Sequence, residues 1–307
     1  TRFTYPARQF CLDSSGTRPL SVSGNGVQYH GTMQESPTPG SAAGSVVVAA
    51  DFVSQLLPVE HGRRIALFLD VDGTLVGFSP TPADTTIPLH LRESLDTLTR
   101  QLDGAVSIVS GRSMRDLDRL FPDAGFTRIG AHGGVIQTPT ELLASAPAPD
   151  PALLLRVRDV LQRAVAAEPR LYLEDKEVSV ALHYRRAPER EREVRSLVSE
   201  LAPDGSGLRI QWGAAVAEIR GDSFDKGTAI AALLAVAPFH GRVPLYFGDD
   251  YTDVPALRHV ASVGGKSITV GPRLSDTIYL HLDGPGEVIS VLHALSVALQ
   301  ARRAGEV

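Results

Sequence analysis

The apolar run 65–69 leads directly into two aspartates, and this junction most constrains what the chain can fold into. A short apolar run bounded by a turn predicts a buried strand of a parallel sheet. The carboxyl ends of the strands in an open α/β sheet form its ligand crevice. Asp70 and Asp72 are therefore expected at a ligand site, and Gly73 lets the chain turn tightly behind them. The alternative interpretation of these residues is a surface turn without a ligand.

Two further apolar runs also end in polar residues. The run 105–109 leads into Ser110 and Arg112. The run 243–247 leads into a cluster of three aspartates: Asp249, Asp250 and Asp253. Lys226 stands at the start of a helix rich in Ala and Leu. Acids, a hydroxyl and a lysine at the ends of three strands indicate a functional site rather than solvated loops.

The order of predicted elements divides the chain into three parts. Alternating strands and helices predict an α/β fold with a doubly wound, Rossmann-like parallel sheet, formed by residues 60–136 and 221–303. Residues 137–220 show the order helix-strand-strand-helix-strand-strand, which predicts an inserted α+β domain that could act as a lid. Residues 1–55 are rich in Ser, Gly, Thr and Pro, so we expect a low-complexity, disordered segment there.

Composition excludes several classes of protein. The 307 residues carry a net charge of −5 and show no cluster of Lys and Arg, so we expect no nucleic-acid partner. No apolar stretch approaches the roughly 18 residues that span a bilayer, so we expect no membrane partner. The single cysteine, Cys11, excludes an internal disulfide framework. No apolar signal segment follows the N-terminus, and a cytoplasmic location is the default expectation.

The polar motifs at the strand ends resemble the four ordered motifs of the haloacid dehalogenase superfamily. They are Asp70-x-Asp72-Gly-Thr, Ser110, Lys226 and Gly-Asp249-x-x-x-Asp253. The resemblance implies that Asp70 is a nucleophile that takes up a phosphoryl group. It implies that Asp72 is the general acid for the leaving alkoxide and then the base for water. Ser110 and Lys226 would hold the phosphoryl oxygens.

The same resemblance implies a metal cofactor, Mg²⁺, because carboxylates, phosphate oxygens and waters form a hard-oxygen site. The metal would lie on Asp70, Asp249 and the carbonyl of Asp72, with Asp253 as a close member of the site. An aspartate-rich run is also a common helix start, and the two roles can coexist.

A further set of segments resembles the trehalose-6-phosphate phosphatases within that superfamily. They are Gly130-Ala131-His132-Gly133-Gly134, Glu174-x-Lys176, 179–185 and Glu218-Ile219-Arg220. The resemblance implies Mg²⁺-dependent hydrolysis of trehalose 6-phosphate to trehalose and phosphate through an aspartyl-phosphate, with a trehalose-6-phosphate synthase as pathway partner. Glu174, Lys176 and Glu218 would contact the hydroxyls of the small-molecule sugar-phosphate substrate. Arg112 and Asp250 are also expected to bind substrate.

Two departures from the family pattern keep other functions open. Ala214 stands where family members commonly carry Lys, and Val254 stands where Glu usually follows Thr-Asp. The first change removes a cationic sugar contact, which allows a phosphatase for another sugar phosphate. A catalytically silent sugar-phosphate-binding domain that regulates a synthase is the other alternative, although the intact Asp70 and Lys226 argue against it.

Overall fold

The computed structural model describes residues 49, 51–57, 64–79, 82–143, 150–176, 178–275, 277 and 279–305. The strands, in chain order, are β1 (Ile65–Leu69), β2 (Val106–Val109), β3 (Thr127–Gly130), β4 (Val135–Gln137), β5 (Leu142–Leu143), β6 (Tyr172–Lys176), β7 (Ser179–His183), β8 (Leu208–Gly213), β9 (Val216–Gly221), β10 (Val243–Gly248), β11 (Lys266–Val270) and β12 (Leu280–Leu282). The helices are α1 (51–56), α2 (Leu89–Gln101), α3 (Met114–Leu120), α4 (Pro151–Ala167), α5 (Glu191–Leu201), α6 (Lys226–Leu234), α7 (Val254–Ser262) and α8 (Pro285–Gly305).

The larger sheet has the strand order β12-β11-β10-β1-β2-β3-β4-β5. Neighbouring strands from β12 to β3 run parallel, and β4 and β5 are added antiparallel. All five residues of β1 are buried, as expected of a parallel strand covered by helices on both faces. The predicted α/β fold class with a parallel-rich central sheet is confirmed.

The helices of the larger sheet begin where the sequence supplies caps. The side chain of Ser113 accepts a hydrogen bond from Asp116 N–H at the start of α3. Asp225 and Thr228 form a reciprocal capping box at the start of α6. The first helical residue of α6 is Lys226, so this cap also determines where the lysine lies at the carboxyl edge of the larger sheet.

The smaller sheet is antiparallel, with the order β6-β7-β9-β8. One face carries apolar side chains such as Val180, Leu182 and Ile219, and α4 and α5 pack on it in a hydrophobic core of their own. The other face is polar and meets the larger sheet at its carboxyl edge, where Lys176 Nζ donates to the carbonyl of Gly111 at 3.3 Å. The smaller sheet therefore covers the crevice.

The predicted domain boundaries differ in detail from the elements. β4 and β5 continue the larger sheet to Leu143, past residue 137 where the insert was expected to begin. The division into a core and an inserted domain stays our proposal, with the insert beginning after β5.

The predicted disordered segment 1–55 lies mostly outside the described residues. At its end the prediction is wrong, because residues 51–56 are helical, and Val53 and Leu56 are buried in the main hydrophobic core. Within the part of the chain that the structure describes, no helix is long and apolar enough to cross a membrane.

Candidate active site

The strand order brings three of the predicted polar segments to one edge. β1 pairs with β10 on one side and with β2 on the other. Asp70 follows β1, and its N–H donates to the carbonyl of Phe247 at 3.0 Å. Ser110 follows β2, and Asp249 follows β10. Because adjacent parallel strands end together, residues 40 to 179 positions apart in the sequence share one crevice.

Lys226 joins two of these segments through ion pairs. Its Nζ donates to Asp70 Oδ1 at 2.7 Å and to Asp253 Oδ1 at 2.5 Å. Lys226 is almost completely buried, as are both carboxylates. A buried charge is tolerated only when it is paired and hydrogen-bonded, and this lysine satisfies both conditions. It holds Asp70 in a fixed orientation at the end of β1.

Asp253 organises the loop after β10. Its Oδ1 also accepts from the hydroxyl of Tyr246 at 2.5 Å. Its Oδ2 accepts from the backbone N–H groups of Asp249 and Asp250, at 3.0 and 2.9 Å. Both oxygens are thus already used, which favours a supporting role for Asp253 beside a cation. Tyr246 was missed by sequence reasoning, because it gives no signal inside an apolar strand.

The carboxylates form a site with excess negative charge. Oxygens of Asp70, Asp249 and Asp253 lie within 4.8 Å of one another, and all three residues are buried. Burial raises the pKa of Asp70 well above its usual range although Lys226 opposes this. Burial and the charge of Asp253 raise the pKa of Asp249 to about 7. Hard oxygen donors that repel one another fit a hard divalent cation such as Mg²⁺.

A second cation, Arg273, lies at the outer side of this cluster. Its Nη1 is 3.1 Å from Asp249 Oδ2 and 3.6 Å from Asp250 Oδ2. Its guanidinium lies 4.7 Å from the ring centroid of Phe78, which is exposed. Sequence reasoning missed Arg273, since a lone arginine after a strand carries no signal. Asp250 lies at the rim of the crevice beside it.

Asp72 is held by Arg112. The Nε and Nη2 atoms of the guanidinium each donate to one carboxylate oxygen at 2.6 Å, a bidentate pair. Nη2 also donates to Thr85 Oγ1 at 2.7 Å. The structure thus places Arg112 on the predicted general acid, whereas sequence reasoning expected it on the substrate.

Glycine is required at position 73, where the turn after β1 passes close to Asp249. Gly73 has a φ of +91°, and a Cβ there would lie 2.2 Å from Asp249 Oδ2. The turn after β1 can approach Asp249 only because this side chain is missing.

The polar face of the smaller sheet brings together the three predicted sugar-binding residues. Lys176 Nζ lies 2.9 Å from Glu218 Oε2, and Ser179 Oγ donates to Glu218 Oε1 at 2.7 Å. Glu174 lies on the same face, and its Oε2 is 2.9 Å from His183 Nε2. Burial alone would raise the pKa of Glu218, but the neighbouring His132 and Lys176 hold it well below its usual range.

His132 lies between the two sheets and was given no role by sequence reasoning. Its backbone N–H donates to the carbonyl of Ser110 at 3.0 Å. Its Nε2 lies 3.6 Å from Glu218 Oε2 and 3.3 Å from Gln211 Nε2. Its φ of +56° is unusual for a residue with a side chain. Burial lowers its pKa, although the carboxylate of Glu218 opposes this. The glycine-rich run around it was the available signal.

Comparison with known proteins agrees with this geometry. The trehalose-phosphatase family model matches residues 68–272. A probable trehalose-phosphate phosphatase of Sinorhizobium fredii is 40% identical over 232 residues, covering 75% of this chain and 86% of that protein. The trehalose-6-phosphate phosphatase of Escherichia coli is 34% identical over 244 residues, covering 80% and 91%.

Solved structures are similar in fold. One described as a trehalose-6-phosphate phosphatase related protein aligns with a TM-score of 0.66 at 23% identity, covering 77% of this chain and 99% of that one. The C-terminal domain of the C. albicans trehalose-6-phosphate phosphatase aligns with a TM-score of 0.67 at 21% identity, covering 82% and 97%. The family predicted from the motifs is confirmed: the chain belongs to the trehalose-phosphatase family.

Proposed function

We propose that the chain hydrolyses trehalose 6-phosphate to trehalose and phosphate, as a Mg²⁺-dependent phosphoric monoester hydrolase. The observation that carries the proposal is the buried group of Asp70, Lys226, Asp249 and Asp253 at the carboxyl edge of the larger sheet. The names of the two bacterial relatives support the choice of substrate.

Asp70 is the proposed nucleophile. Lys226 occupies its Oδ1, which leaves Oδ2 to form a bond to phosphorus while the bond between phosphorus and the sugar oxygen breaks. Asp72 gives its proton to the departing sugar oxygen. Asp72 then takes a proton from the water that attacks the aspartyl-phosphate, and inorganic phosphate leaves with Asp70 restored as a carboxylate.

Arg112 and Ser110 would bind the phosphoryl group during these two steps. In the structure, Arg112 donates a hydrogen bond to each carboxylate oxygen of Asp72. The first step needs Asp72 to donate, so Arg112 would turn from Asp72 to the phosphoryl oxygens when substrate enters. Ser110 and Lys226 would bind those oxygens as well.

Asp70, Asp249 and the main-chain carbonyl of Asp72 would hold Mg²⁺, with Asp253 and Asp250 in support. When bound, the cation neutralises charge between an anionic nucleophile and an anionic phosphate. Burial of the carboxylates keeps water from screening that attraction.

Glu174, Lys176 and Glu218 are the proposed contacts of the sugar hydroxyls, because hydroxyls need both donors and acceptors. Ala214 favours a second candidate, a phosphatase for another sugar phosphate, since a cation common in the family is missing there. A trehalose-6-phosphate synthase partner and a cytoplasmic location stay predictions.

Phosphate release from a substrate panel tests the proposal. The panel is trehalose 6-phosphate, sucrose 6-phosphate, glucose 6-phosphate and glucosyl-3-phosphoglycerate, each with Mg²⁺ or with a chelator. We expect metal-dependent release that is fastest from trehalose 6-phosphate. Asp70→Asn should lower kcat by more than about 10³-fold, because it removes the nucleophile. Asp96→Asn, on the exposed side of α2, is the matched control and should keep full activity.

Faster release from another ester would keep the mechanism and overturn the substrate. No release from any ester by a folded protein would support the silent sugar-phosphate-binding domain instead.

A further inference from the structure

A polar stripe runs along β6 on the face that covers the crevice. Tyr172, Glu174 and Lys176 alternate along the strand, so their side chains share one face. The inner end of the stripe is Lys176, which donates to the carbonyl of Gly111 beside the proposed phosphoryl-binding residue Ser110. Four residues of strand put Tyr172 about 13 Å from Lys176, at the outer end.

The two ends of the stripe differ in exposure. Lys176 is buried and paired with Glu218, so little of its side chain reaches solvent. Tyr172 is 61% exposed, and its ring packs against the ring of His183, with 5.5 Å between centroids and 42° between planes. The stripe therefore has a buried, ion-paired end near the proposed phosphate site and an exposed, aromatic end.

The open end has the chemistry that recognises a sugar ring. His183 packs against Tyr172 and also pairs with Glu174, so one imidazole fixes both the ring and the carboxylate. A hexose presents apolar C–H faces bordered by hydroxyls. An aromatic face beside a carboxylate and an imidazole offers apolar area with adjacent donors and acceptors.

The order of these groups matches the order of groups in a disaccharide phosphate. With a phosphate at Ser110, its own sugar would lie near Lys176 and Glu218, because Lys176 donates to Gly111 next to Ser110. A second sugar ring directed along β6 would reach the exposed Tyr172, whereas a monosaccharide phosphate would end before that residue.

We propose that Tyr172, held by His183, is a specificity-determining residue that stacks on the outer ring of a disaccharide phosphate. The inference rests on the proposed function, that the crevice hydrolyses a sugar phosphate. It assigns the preference for a disaccharide over a monosaccharide phosphate to the outer end of β6, separate from the charged residues of the inner end.

The test compares two aromatic positions of the smaller sheet. Trp212 is a matched control, because it is exposed by 37% but lies opposite Ala217 on the face that α5 covers, with Arg195 stacked 4.4 Å from its ring centroid. We measure KM and kcat with trehalose 6-phosphate and with glucose 6-phosphate. The proteins compared are the wild type, Tyr172→Ala, Tyr172→Phe and Trp212→Ala.

We expect Tyr172→Ala to raise KM for trehalose 6-phosphate about three- to tenfold, the range of one aromatic stack. KM for glucose 6-phosphate and kcat for both esters should stay within twofold. Tyr172→Phe should restore most of the loss because it keeps the ring, and Trp212→Ala should leave the ratio of the two KM values unchanged.

An unchanged KM for trehalose 6-phosphate in Tyr172→Ala would overturn the subsite while leaving the proposed function intact. An equal rise of KM for both esters, or a fall of kcat alone, would overturn it too, because it would indicate a general structural role. Failure of the wild type to hydrolyse trehalose 6-phosphate overturns the proposed function, and the disaccharide subsite with it.

Discussion

The absence of a side chain at Gly111 determines how closely the two sheets approach each other. A Cβ at this position would lie 2.3 Å from the ring of His132. That ring lies between the loop after β2 and Glu218 of the smaller sheet and is only 12% exposed, so it has little room to move away. The residue next to the proposed phosphoryl-binding Ser110 therefore has to be glycine.

Gly111→Ala should displace His132 and disturb the loop that carries Ser110. We expect a loss of about 1–3 kcal/mol in the free energy of unfolding, as for other overpacked sites, and a fall in kcat/KM of at least tenfold. Urea unfolding and phosphate release measure the two effects. Gly125→Ala is the control, because nothing lies within 4 Å of a Cβ there, and it should change neither quantity. A fully active Gly111→Ala would contradict this account.

The residues of the site differ in how well the sequence predicted their place in it. Asp70, Asp72 and Lys226 follow or begin recognisable elements, so their meeting was predicted. Tyr246 and Arg273 were not predicted, since each acts only through a partner, Asp253 or Asp249, that another part of the chain brings near.

At the scale of elements, the start of α6 positions the only residue that pairs with both Asp70 and Asp253 among those the structure describes. Asp225 accepts from Thr228 N–H at 2.8 Å, and Thr228 Oγ1 accepts from Asp225 N–H at 2.8 Å. Lys226 follows directly as the first helical residue. A shift of this helix start by one residue would rotate the lysine away from β1 and β10.

Asp225→Ala should therefore reduce both stability and catalysis. Loss of the cap should lower the free energy of unfolding by about 1 kcal/mol. The loosened first turn should also lower kcat several-fold, because Lys226 no longer holds Asp70 in one orientation. Chemical denaturation and steady-state kinetics with trehalose 6-phosphate give the two values.

Asp150 provides a matched control at the element scale. It caps α4 of the smaller layer by accepting from Ala152 N–H at 2.9 Å. Asp150→Ala should lower stability by a similar amount but leave kcat unchanged. Equal effects of both substitutions on kcat would show that the α6 cap has no special part in positioning the lysine.

At the scale of the whole molecule, the three carboxylates of Asp70, Asp249 and Asp253 meet only two cations, Lys226 and Arg273, among the residues that the structure describes. A carboxyl whose pKa is raised on folding binds its proton more tightly in the folded state. Its contribution to stability is present at low pH and is lost as the pH rises through the folded pKa. For Asp249 that window runs from its ordinary value of 3.8 to about 7.

Without divalent metal, we expect this group to make the protein less stable as the pH rises from about 4 to about 7. Asp249→Asn should remove that part of the pH dependence. Denaturation of the wild type and of Asp249→Asn across this pH range measures it as the difference between their free energies of unfolding. At pH 8, Mg²⁺ at 100 times its dissociation constant should add about 2.7 kcal/mol to the wild type.

Asp249→Asn should show no such stabilisation by Mg²⁺, and the exposed Asp96→Asn should behave like the wild type. Equal stabilisation of wild type and Asp249→Asn by Mg²⁺ would place the cation elsewhere.

The sequence by itself determined the parallel-rich α/β fold and the meeting of the acidic motifs. Strand ends are local signals, and parallel strands that lie side by side must end at one edge. Only the tertiary structure decided that Arg112 holds Asp72, that His132 joins the sheets and that Tyr172 stands at the outer end of the stripe. The Arg112–Asp72 pair joins two loops of the larger sheet that lie 40 positions apart in the sequence. The contact of His132 and the place of Tyr172 relative to the crevice depend on how the smaller sheet lies over the larger one. No local pattern of residues encodes either arrangement.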